Sequence, residues 1–242
     1  PGTELEWFAQ WKETRMKWHQ ALGFGPENYR FHEHEKLAHY ANAAVDVEYR
    51  FPFGFKEVEG IHSRTDFDLS QHETYSGKKI RYFDPDKNES YIPYVIETSI
   101  GVDRMFLQVV SASYHEEEVV GANGEKDIRT VLRIPPALAP VKLAVLPLVK
   151  KDGQPEKARE IIDALKFDFN CQYDEKDSIG KRYRRQDAIG TPFCITIDHQ
   201  TEADNSVTIR YRDTMEQERI PIDRIREIVA EKVSMKKLFE KL

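Results

Sequence analysis

Residues 91–104 read YIPYVIETSIGVDR and place an apolar segment directly before a short run of chemically distinct side chains. The apolar, β-branched part predicts a strand, and Gly101 predicts the turn after which a helix begins. Glu97 and Ser99 are two residues apart, so they lie near the same face of that strand. Burying a lone carboxylate costs several kcal/mol unless a cation pairs with it. The pattern therefore predicts that Glu97 meets a cationic group of a small ligand.

Arg104 follows one turn into the predicted helix, where its guanidinium would suit a phosphate or an aromatic base. A carboxylate, a hydroxyl and an arginine this close together indicate a binding site for small molecules. The same residues also fit simpler roles. Glu97 and Ser99 would serve equally well as caps of the helix N-terminus. Arg104 would equally well form a surface ion pair with Asp103 or Glu97.

Two acidic residues, Glu57 and Glu59, stand upstream in a segment that reads FPFGFKEVEGI. Their i, i+2 spacing in a predicted strand places both carboxylates on one face. Paired carboxylates suit a Mg²⁺ ion that bridges phosphates, although two solvated acids on an edge strand would give the same pattern. Arg64 follows shortly afterwards and is a second cation within reach of the same site.

The composition describes a globular protein with a well-charged surface. Of the 242 residues, 40% are hydrophobic and 32% are charged, which excludes a disordered chain. No apolar run approaches the roughly 18 residues of a membrane span, and no signal peptide precedes the first predicted helix. Two cysteines are too few for a disulfide framework, so the sequence predicts a cytoplasmic protein with reduced thiols. Because residue 1 is proline and not methionine, we expect a fragment or a processed product.

The net charge of −6 is unevenly distributed, because residues 1–138 carry the acidic excess and residues 139–242 are near neutral. Three prolines between residues 135 and 140 can neither continue a helix nor lie inside a sheet, so they mark the predicted domain boundary. The predicted domains are residues 1–137 and residues 138–242. Their different charge balance fits different binding partners.

Hydrophobic periodicity predicts the elements of the first domain. A helix that ends at residue 22 opens on a capping box formed by Thr3 and Glu6. Its apolar stripe, predicted to face the core, consists of Trp7, Trp11, Trp18 and Leu22. The other predicted elements are a short helix at 33–41, strands at 44–50 and 55–61, a helical or turn segment at 64–75, a polar connection at 77–90, and a helix that ends near 114.

The second domain alternates between strand and helix signals, which predicts a compact α/β domain with a mixed sheet covered by helices. The predicted strands cover 141–149, 167–173, 192–198 and 206–213. The predicted helices cover 155–166, 178–188 and 221–241.

A basic stretch lies within the predicted helix at 178–188. It consists of Lys181, Arg182, Tyr183, Arg184 and Arg185. The cations would contact RNA phosphates, and the tyrosine ring would stack on an unpaired base. An ordinary solvated helix face explains the stretch as well, since acidic residues flank it on both sides.

Five longer segments read WFAQWKETRMKW, HEKLAHYANAAVDVEYRFPFGF, EVEGIHSRTDFDLSQH, YIPYVIETSIGVDR and GKRYRRQDAIGTPFCITID. In this order they resemble the homodimeric glycyl-tRNA synthetases, a family of class II aminoacyl-tRNA synthetases, and residues 91–110 resemble the third signature motif of that class. The resemblance covers nearly the whole chain. It implies an α+β protein in which part of a class II catalytic domain, an antiparallel sheet with helices, makes up residues 1–137. An α/β anticodon-binding domain with a mixed sheet would follow at residues 138–242.

The resemblance also implies roles for individual residues. Glu97 and Arg104 correspond to catalytic positions. The glycine pocket would consist of Glu97, Thr98, Ser99, Ile100 and Gly101, with Arg64 near the substrate. The residues in contact with ATP would be Glu57, Val58, Gly101, Val102, Asp103 and Arg104.

The activity that the resemblance implies is ATP- and Mg²⁺-dependent activation of glycine and its transfer to tRNA(Gly) by a cytoplasmic homodimer. The first two signature motifs of the class, which include the arginine that holds the ATP α-phosphate, would lie upstream of Pro1. We therefore expect the chain alone to form no glycyl-adenylate at a useful rate. The alternative is a non-catalytic relative that reuses the synthetase fold as a nucleic-acid-binding accessory protein. Such a relative would have no reason to keep Glu97, Ser99, Gly101 and Arg104 together.

Overall fold

The structure, a computed structural model, describes residues 1–120 and 124–240. Its residue contacts form two compact units, one from Pro1 to Ser111 and one that begins at Ala112. The boundary between the compact units thus lies upstream of the predicted domain boundary at residues 137 and 138. The assignment of two domains stays a prediction. Across the described residues, no helix combines the length and the apolar character that crossing a membrane requires.

The first unit consists of a helix, a four-stranded sheet and short connecting elements. Its helices are α1 (Glu4–Ala21), α2 (Phe67–Ser76) and all but the last two residues of α3 (Val102–Ser113). Its strands are β1 (Tyr29–Glu33), β2 (Ala43–Phe51), β3 (Gly54–Ser63), β4 (Tyr82–Asp84), β5 (Glu89–Tyr91) and β6 (Ile96–Ile100). The predicted first helix, the two strands at 44–50 and 55–61, and the helix that ends near 114 are confirmed.

Three predicted segments of the first unit differ from the structure. The segment 33–41 is not a helix, because β1 pairs with β2 through Glu33 and the chain then runs through turns and bends. The polar connection at 77–90 contains the β4–β5 hairpin. The strand in residues 91–104 begins only at Ile96, and before it Val95 exchanges backbone hydrogen bonds with Arg64 and Thr65.

The sheet of the first unit is antiparallel throughout, with the strand order β1-β2-β3-β6. Helix α1 covers one face and buries Phe8, Met16 and His19 there. The predicted stripe is therefore wrong for Trp7 and Trp11, which are exposed, whereas Leu22 is buried as predicted and Trp18 is half-buried. The capping box does not form either, because the Thr3 side chain makes no capping hydrogen bond. Contacts of Arg15 and His19 with Glu59 of β3 determine which face of α1 meets the sheet.

The second unit is built around a five-stranded mixed sheet. Its strands are β7 (Tyr114–Val120), β8 (Lys126–Leu132), β9 (Leu143–Pro147), β10 (Cys171–Tyr173), β11 (Phe193–Ile197), β12 (Ser206–Tyr211) and β13 (Gln217–Pro221). Its helices are α4 (Gln154–Leu165), α5 (Ile179–Ile189), α6 (His199–Asp204), α7 (Ile225–Val233) and α8 (Met235–Phe239). The large sheet has the order β10-β9-β11-β12-β13, while β7 and β8 form a separate hairpin.

The central strands of this sheet are parallel and carry helices on both faces. β9 pairs in parallel with β10 on one side and with β11 on the other. Helices α4 and α7 bury apolar side chains against one face, and α5 packs Ile179 and Tyr183 against the other. The predicted α/β domain with a mixed sheet is confirmed, as are the strands at 141–149, 192–198 and 206–213 and the helices at 155–166 and 178–188. The strand predicted at 167–173 is wrong in its extent, because residues 167–169 form turns and a bend and β10 begins only at Cys171.

The sequence reading missed the hairpin β7–β8, helix α6 and strand β13. The predicted helix at 221–241 is wrong in its extent, because α7 begins only at Ile225 and ends before Ser234, whose backbone is extended. Residue 241 lies outside the described residues. Short edge elements such as β13 carry little periodicity of their own, and they form because β12 offers a free edge.

A buried ionic network fixes the hairpin within the second unit. Arg129 of β8 is fully buried and donates to Asp187 at 2.9 Å, to Glu117 at 3.1 Å, and to the backbone carbonyl of Arg212. Arg210 donates to both oxygens of Asp187, at 2.8 and 3.0 Å. Because an unpaired buried carboxylate is costly, these two arginines hold the hairpin, α5 and β12 together.

Candidate functional site

The carboxylate of Glu97 is paired with an arginine of the protein. Arg64 donates from Nη1 to Glu97 Oε2 at 2.7 Å and also forms a two-pronged ion pair with Asp68, at 2.5 and 2.9 Å. The guanidinium lies 4.1 Å above the ring of Tyr40. Hydrogen bonds from Arg64 lower the pKa of Asp68, and those to Asp68 and Glu97 raise the pKa of Arg64. Glu97 therefore has a cationic partner within the protein, and its contact with a ligand cation stays a prediction.

Strand pairing places the key residues of β6 on the uncovered face of the sheet. β6 is an edge strand, and its Glu97 pairs in register with His62 while Ser99 pairs with Gly60. Directly paired residues of an antiparallel sheet point to the same face. Glu97 and Ser99 thus share one face, as predicted, and His62 lies beside them. The sequence reading did not single out His62, because nothing in its local pattern signals where the sheet register puts it.

Arg104 lies in the first turn of α3 and reaches back to β3. Its Nη1 contacts the backbone carbonyl and the carboxylate of Glu57, each at 3.0 Å. The predicted ion pairs of Arg104 with Asp103 or Glu97 do not form. A Cβ placed at Gly101 would lie 3.6 to 3.7 Å from the side chain of Arg104, which is ordinary contact distance. Two arginines, Arg64 and Arg104, therefore bracket the segment from Glu97 to Gly101.

Glu57 and Glu59 do not form a shared metal site. β3 carries a β-bulge at Val58, opposite Val47 and Glu48 of β2, so that Glu59 pairs with Val47 while Glu57 pairs with Glu48. Adjacent residues of β2 point to opposite faces, and the two glutamates therefore do so as well. The prediction that both carboxylates share one face is wrong, and this pair does not fit a Mg²⁺ ion that bridges phosphates. Among the described residues, no group of three or more His, Cys, Asp or Glu side chains is arranged to hold a metal.

Glu59 instead anchors α1 beneath the sheet. Arg15 donates to its two oxygens at 2.6 and 3.0 Å, and His19 Nε2 lies 2.7 Å from Oε2. Burial raises the pKa of Glu59, but the hydrogen bonds with His19 and Arg15 outweigh this effect and lower it overall. Glu59 and His19 are fully buried, so this contact sets which face of α1 meets the sheet.

A cleft of about 470 Å³ opens on the uncovered side of the sheet, next to Arg104. Its walls combine charged and aromatic side chains. They include His32, Asp46, Phe53, Glu57 and Arg104. The mixture of one arginine, an exposed aromatic ring and carboxylates suits a ligand that has both a planar ring and charged groups.

The basic stretch of α5 is mostly engaged inside the second unit. Arg182 is buried and donates to the backbone carbonyls of Pro147, Leu148 and Asp174. The Tyr183 hydroxyl lies 2.6 Å from the hydroxyl of Thr196. Its ring packs in the cluster of α5 against the sheet and is covered by Arg210. Neither a phosphate contact by Arg182 nor base stacking by Tyr183 fits this placement.

The remaining cations of the stretch lie nearer to the surface. Arg185 pairs with Asp174 and Asp177 at 2.8 to 3.0 Å, and Arg184 pairs with Asp127 at 3.1 Å. Lys181 is exposed and forms no ion pair with any described residue. The structure therefore does not bring the five residues together as one RNA-binding patch.

Comparison with known proteins identifies the relatives of this chain. Residues 142–232 match the family described as "Anticodon binding domain". The chain is 52% identical to the glycine–tRNA ligase of Chlorobaculum tepidum over 96% of its own length and 49% of that protein. It is 52% identical to the glycine–tRNA ligase of Treponema denticola, with 91% of the chain and 50% of that protein covered. The chain is homologous to the glycine–tRNA ligases.

A third glycine–tRNA ligase, from Ruminiclostridium cellulolyticum, is 54% identical over 92% of the chain and 47% of its own length. The chain thus spans about half the length of the glycine–tRNA ligases it matches. The predicted family is confirmed, and so is the predicted fold class: an antiparallel sheet precedes a mixed sheet that lies in an anticodon-binding domain.

Proposed function

We propose that these residues form part of a glycine–tRNA ligase, in which the first unit supplies one wall of the site that activates glycine with ATP. The observation that carries this proposal is the placement of Glu97 and Ser99 on one uncovered sheet face, bracketed by Arg64 and Arg104. Homology to glycine–tRNA ligases supports it. The homodimeric state and the cytoplasmic location are part of the proposal for the whole protein.

In this proposal, Glu97 and Ser99 hold the ammonium group of glycine. Arg64 occupies only Oε2 of Glu97, and no described residue donates to Oε1, which is therefore free to accept from a substrate. By fixing the carboxylate, Arg64 acts as a positioning residue and removes the rotational freedom that binding would otherwise have to restrict. The backbone of Thr98 and Ile100 continues the pocket towards Gly101.

Arg104 and the backbone of Glu57 and Val58 would face ATP, together with the turn formed by Gly101, Val102 and Asp103. In the activation step a carboxylate oxygen of glycine attacks the α-phosphorus of ATP, and the bond to the leaving pyrophosphate breaks. The guanidinium of Arg104 stabilises negative charge on phosphate oxygens during this step. Because Glu57 and Glu59 lie on opposite faces, they do not hold a Mg²⁺ ion together.

The second unit would bind the anticodon of tRNA(Gly), which the homology and the matched domain support. We place the contact at the carboxyl ends of β9 and β10. These strands are adjacent, and the chain leaves β9 for α4 on one face and β10 for α5 on the other, a switch of direction at which α/β sheets bind ligands. Arg182 donates hydrogen bonds to the backbone carbonyls of Pro147 and Asp174 and so connects the ends of the two strands. Lys150, Lys176 and Lys181 are exposed around this point.

Pyrophosphate exchange dependent on glycine tests the proposal. A full-length ligase that contains this chain should lose at least about 100-fold in exchange rate on Glu97→Gln, because an electrostatic partner of the substrate is removed. Glu73→Gln, which alters a surface ion pair with Arg81, is the matched control and should change little. The 242-residue chain alone should show no exchange. Exchange by the chain alone, or an unaffected Glu97→Gln enzyme, would contradict the proposal.

A further inference from the structure

Gly60 and His62 lie on β3 and share the uncovered face of the four-stranded sheet. The imidazole of His62 leans over Gly60, so that a Cβ at position 60 would lie 2.9 Å from His62 Cε1 and 3.5 Å from Nδ1. Because 2.9 Å is closer than carbon atoms pack, a residue with a side chain at position 60 would displace the ring. Gly60 has no positive φ, so the approach of the ring and not a turn requires glycine here.

The ring lies next to both residues of the proposed amino-acid pocket. His62 pairs in register with Glu97, and Gly60 pairs with Ser99. Side chains of directly paired residues have Cβ atoms about 4.5 to 5.5 Å apart. Since the imidazole of His62 extends back over Gly60, it covers the strip of sheet between these two pairs. A ligand held by Glu97 and Ser99 therefore lies against this ring.

No described residue takes up the hydrogen-bonding capacity of the ring. His62 Nδ1 is buried and has no hydrogen-bond partner. The nearest ring is that of His34, whose centre lies 6.4 Å away and whose own Nε2 is 3.1 Å from Asp46. Buried polar atoms are nearly always satisfied, so an unpartnered nitrogen here indicates contact with water or a ligand. This observation is independent of the close approach to Gly60.

We propose that His62 is a specificity-determining residue of the amino-acid site, because its ring fills the space beside Glu97 and Ser99 that a substrate side chain would need. The inference rests on the proposed function, since it takes Glu97 and Ser99 as the groups that hold the ammonium. Glycine has no side chain, so its selection requires rejection of larger amino acids by a wall. The pocket residues from 97 to 101 lie on the edge strand β6 and in the turn that follows it. His62 lies on the neighbouring strand β3, and its ring forms a second wall.

Two-dimensional NMR of a full-length ligase that contains this chain tests this inference, with glycine and L-alanine as the titrated ligands. The backbone amides of Ser99 and Gly101 report occupation of the pocket, and the imidazole of His62 reports contact with the ring. The comparison uses the parent ligase, His62→Ala, Gly60→Ala and the matched control His199→Ala. His199 is an exposed histidine of the second unit. Circular dichroism establishes that each variant is folded.

In the parent ligase, glycine should shift the resonances of Ser99, Gly101 and His62 and bind at least about 10-fold more tightly than L-alanine, the discrimination expected for one methyl group. In His62→Ala this preference should fall to about 3-fold or less because the wall is removed. Gly60→Ala should weaken glycine binding, since the displaced ring enters the pocket. His199→Ala should behave as the parent.

The outcomes separate this inference from the proposed function. Shifts at Ser99 and Gly101 with an unchanged preference for glycine in His62→Ala would overturn the role of His62 and leave the pocket in place. Equal affinity for glycine and L-alanine in the parent ligase would overturn it as well. The absence of any shift at Ser99 and Gly101 would instead contradict the proposed glycine pocket, and the role of His62 with it.

Discussion

Glu57 and Glu59 are separated by one residue, yet their carboxylates lie on opposite faces of the same sheet. Glu57 meets Arg104 on the uncovered face, and Glu59 meets Arg15 and His19 on the face that α1 covers. The bulge therefore gives two identical side chains different partners. Glu57 lies with Arg104 in the wall of the cleft, and Glu59 holds α1 against the sheet.

Glu59→Gln is expected to destabilise the first unit. Arg15 and His19 would lose the carboxylate that pairs with them, and breaking a buried ion pair costs about 3 to 5 kcal/mol in free energy of unfolding. Amide hydrogen exchange of β3, measured as a function of denaturant, reports this loss within the first unit. Glu33→Gln, which alters the ion pair of an exposed carboxylate with Lys12, is the control and should cost less than about 1 kcal/mol.

The effect of Glu59→Gln should also depend on pH. The pKa of Glu59 is lowered in the folded protein from an ordinary value of 4.5. Its stabilising contribution is therefore complete above pH 4.5 and is lost as pH falls through the lower folded pKa. We expect the difference in free energy of unfolding between parent and Glu59→Gln to be constant near neutral pH and to shrink below about pH 4.5. An equal difference at pH 7 and pH 3 would contradict this assignment.

Arg64→Lys should impair glycine activation although it preserves the charge. The guanidinium bonds Asp68 with two donors and Glu97 with a third, a planar geometry that an ammonium cannot reproduce. In a full-length ligase that contains this chain, we expect the KM for glycine to rise at least about 10-fold, while the KM for ATP changes little. Arg81→Lys, which alters a surface pair with Glu73, is the control. Equal changes in both KM values would indicate that Arg64 only maintains the fold.

The sequence predicted the elements of the site better than their surroundings. The strand, glycine turn and helix around Glu97 and Arg104 follow from local signals, and strand alternation places Glu97 and Ser99 on one face. Alternation failed at Glu57 and Glu59, because a bulge depends on how two strands pair and leaves no mark in the spacing. For the same reason His62 was missed, since its nearness to Glu97 is a property of the register.

The charged residues of α5 show a second limit of sequence reasoning. Four cations in one helical turn and a half predict a solvated or RNA-binding face, yet Arg182 and Tyr183 are turned inward to carbonyls and to a hydroxyl. The long arginine side chain satisfies loop carbonyls that would otherwise lack partners. The need of these carbonyls for hydrogen-bond donors arises from the tertiary structure, so the amino-acid composition does not reveal it.

Asp187→Asn should unfold or loosen the second unit. Asp187 is fully buried and accepts hydrogen bonds from Arg129 and Arg210, so the substitution leaves Arg210 without its counter-charge and Arg129 with Glu117 alone. We expect a loss of about 3 to 5 kcal/mol in free energy of unfolding, measured by hydrogen exchange of β11. Asp163→Asn, which alters an exposed pair with Lys166, should cost less than about 1 kcal/mol. Comparable losses in both variants would show that the network is not what holds the hairpin in place.

The position of the anticodon contact is tested by lysine substitutions at the carboxyl ends of β9 and β10. Lys150→Ala, Lys176→Ala and Lys181→Ala remove exposed cations that pair with no described acidic residue, so their charge is available to RNA phosphates. For each lysine that contacts a phosphate, the slope of log K against log salt for tRNA(Gly) binding should decrease by about 1. Fluorescence anisotropy at several salt concentrations measures this slope with the 242-residue chain.

Two controls define the prediction further. Lys157→Ala removes a cation that pairs with Glu160 on α4 and should leave the slope unchanged. Tyr183→Phe removes the hydrogen bond to Thr196 inside the second unit, and it should lower stability by about 1 kcal/mol without changing RNA affinity in the folded protein. If Lys157→Ala lowers the slope as much as Lys176→Ala does, the RNA lies on another face of the domain. If Tyr183→Phe weakens tRNA binding while stability is unchanged, the side chain of Tyr183 contacts RNA directly. Helix α5 must then move away from the sheet when RNA binds.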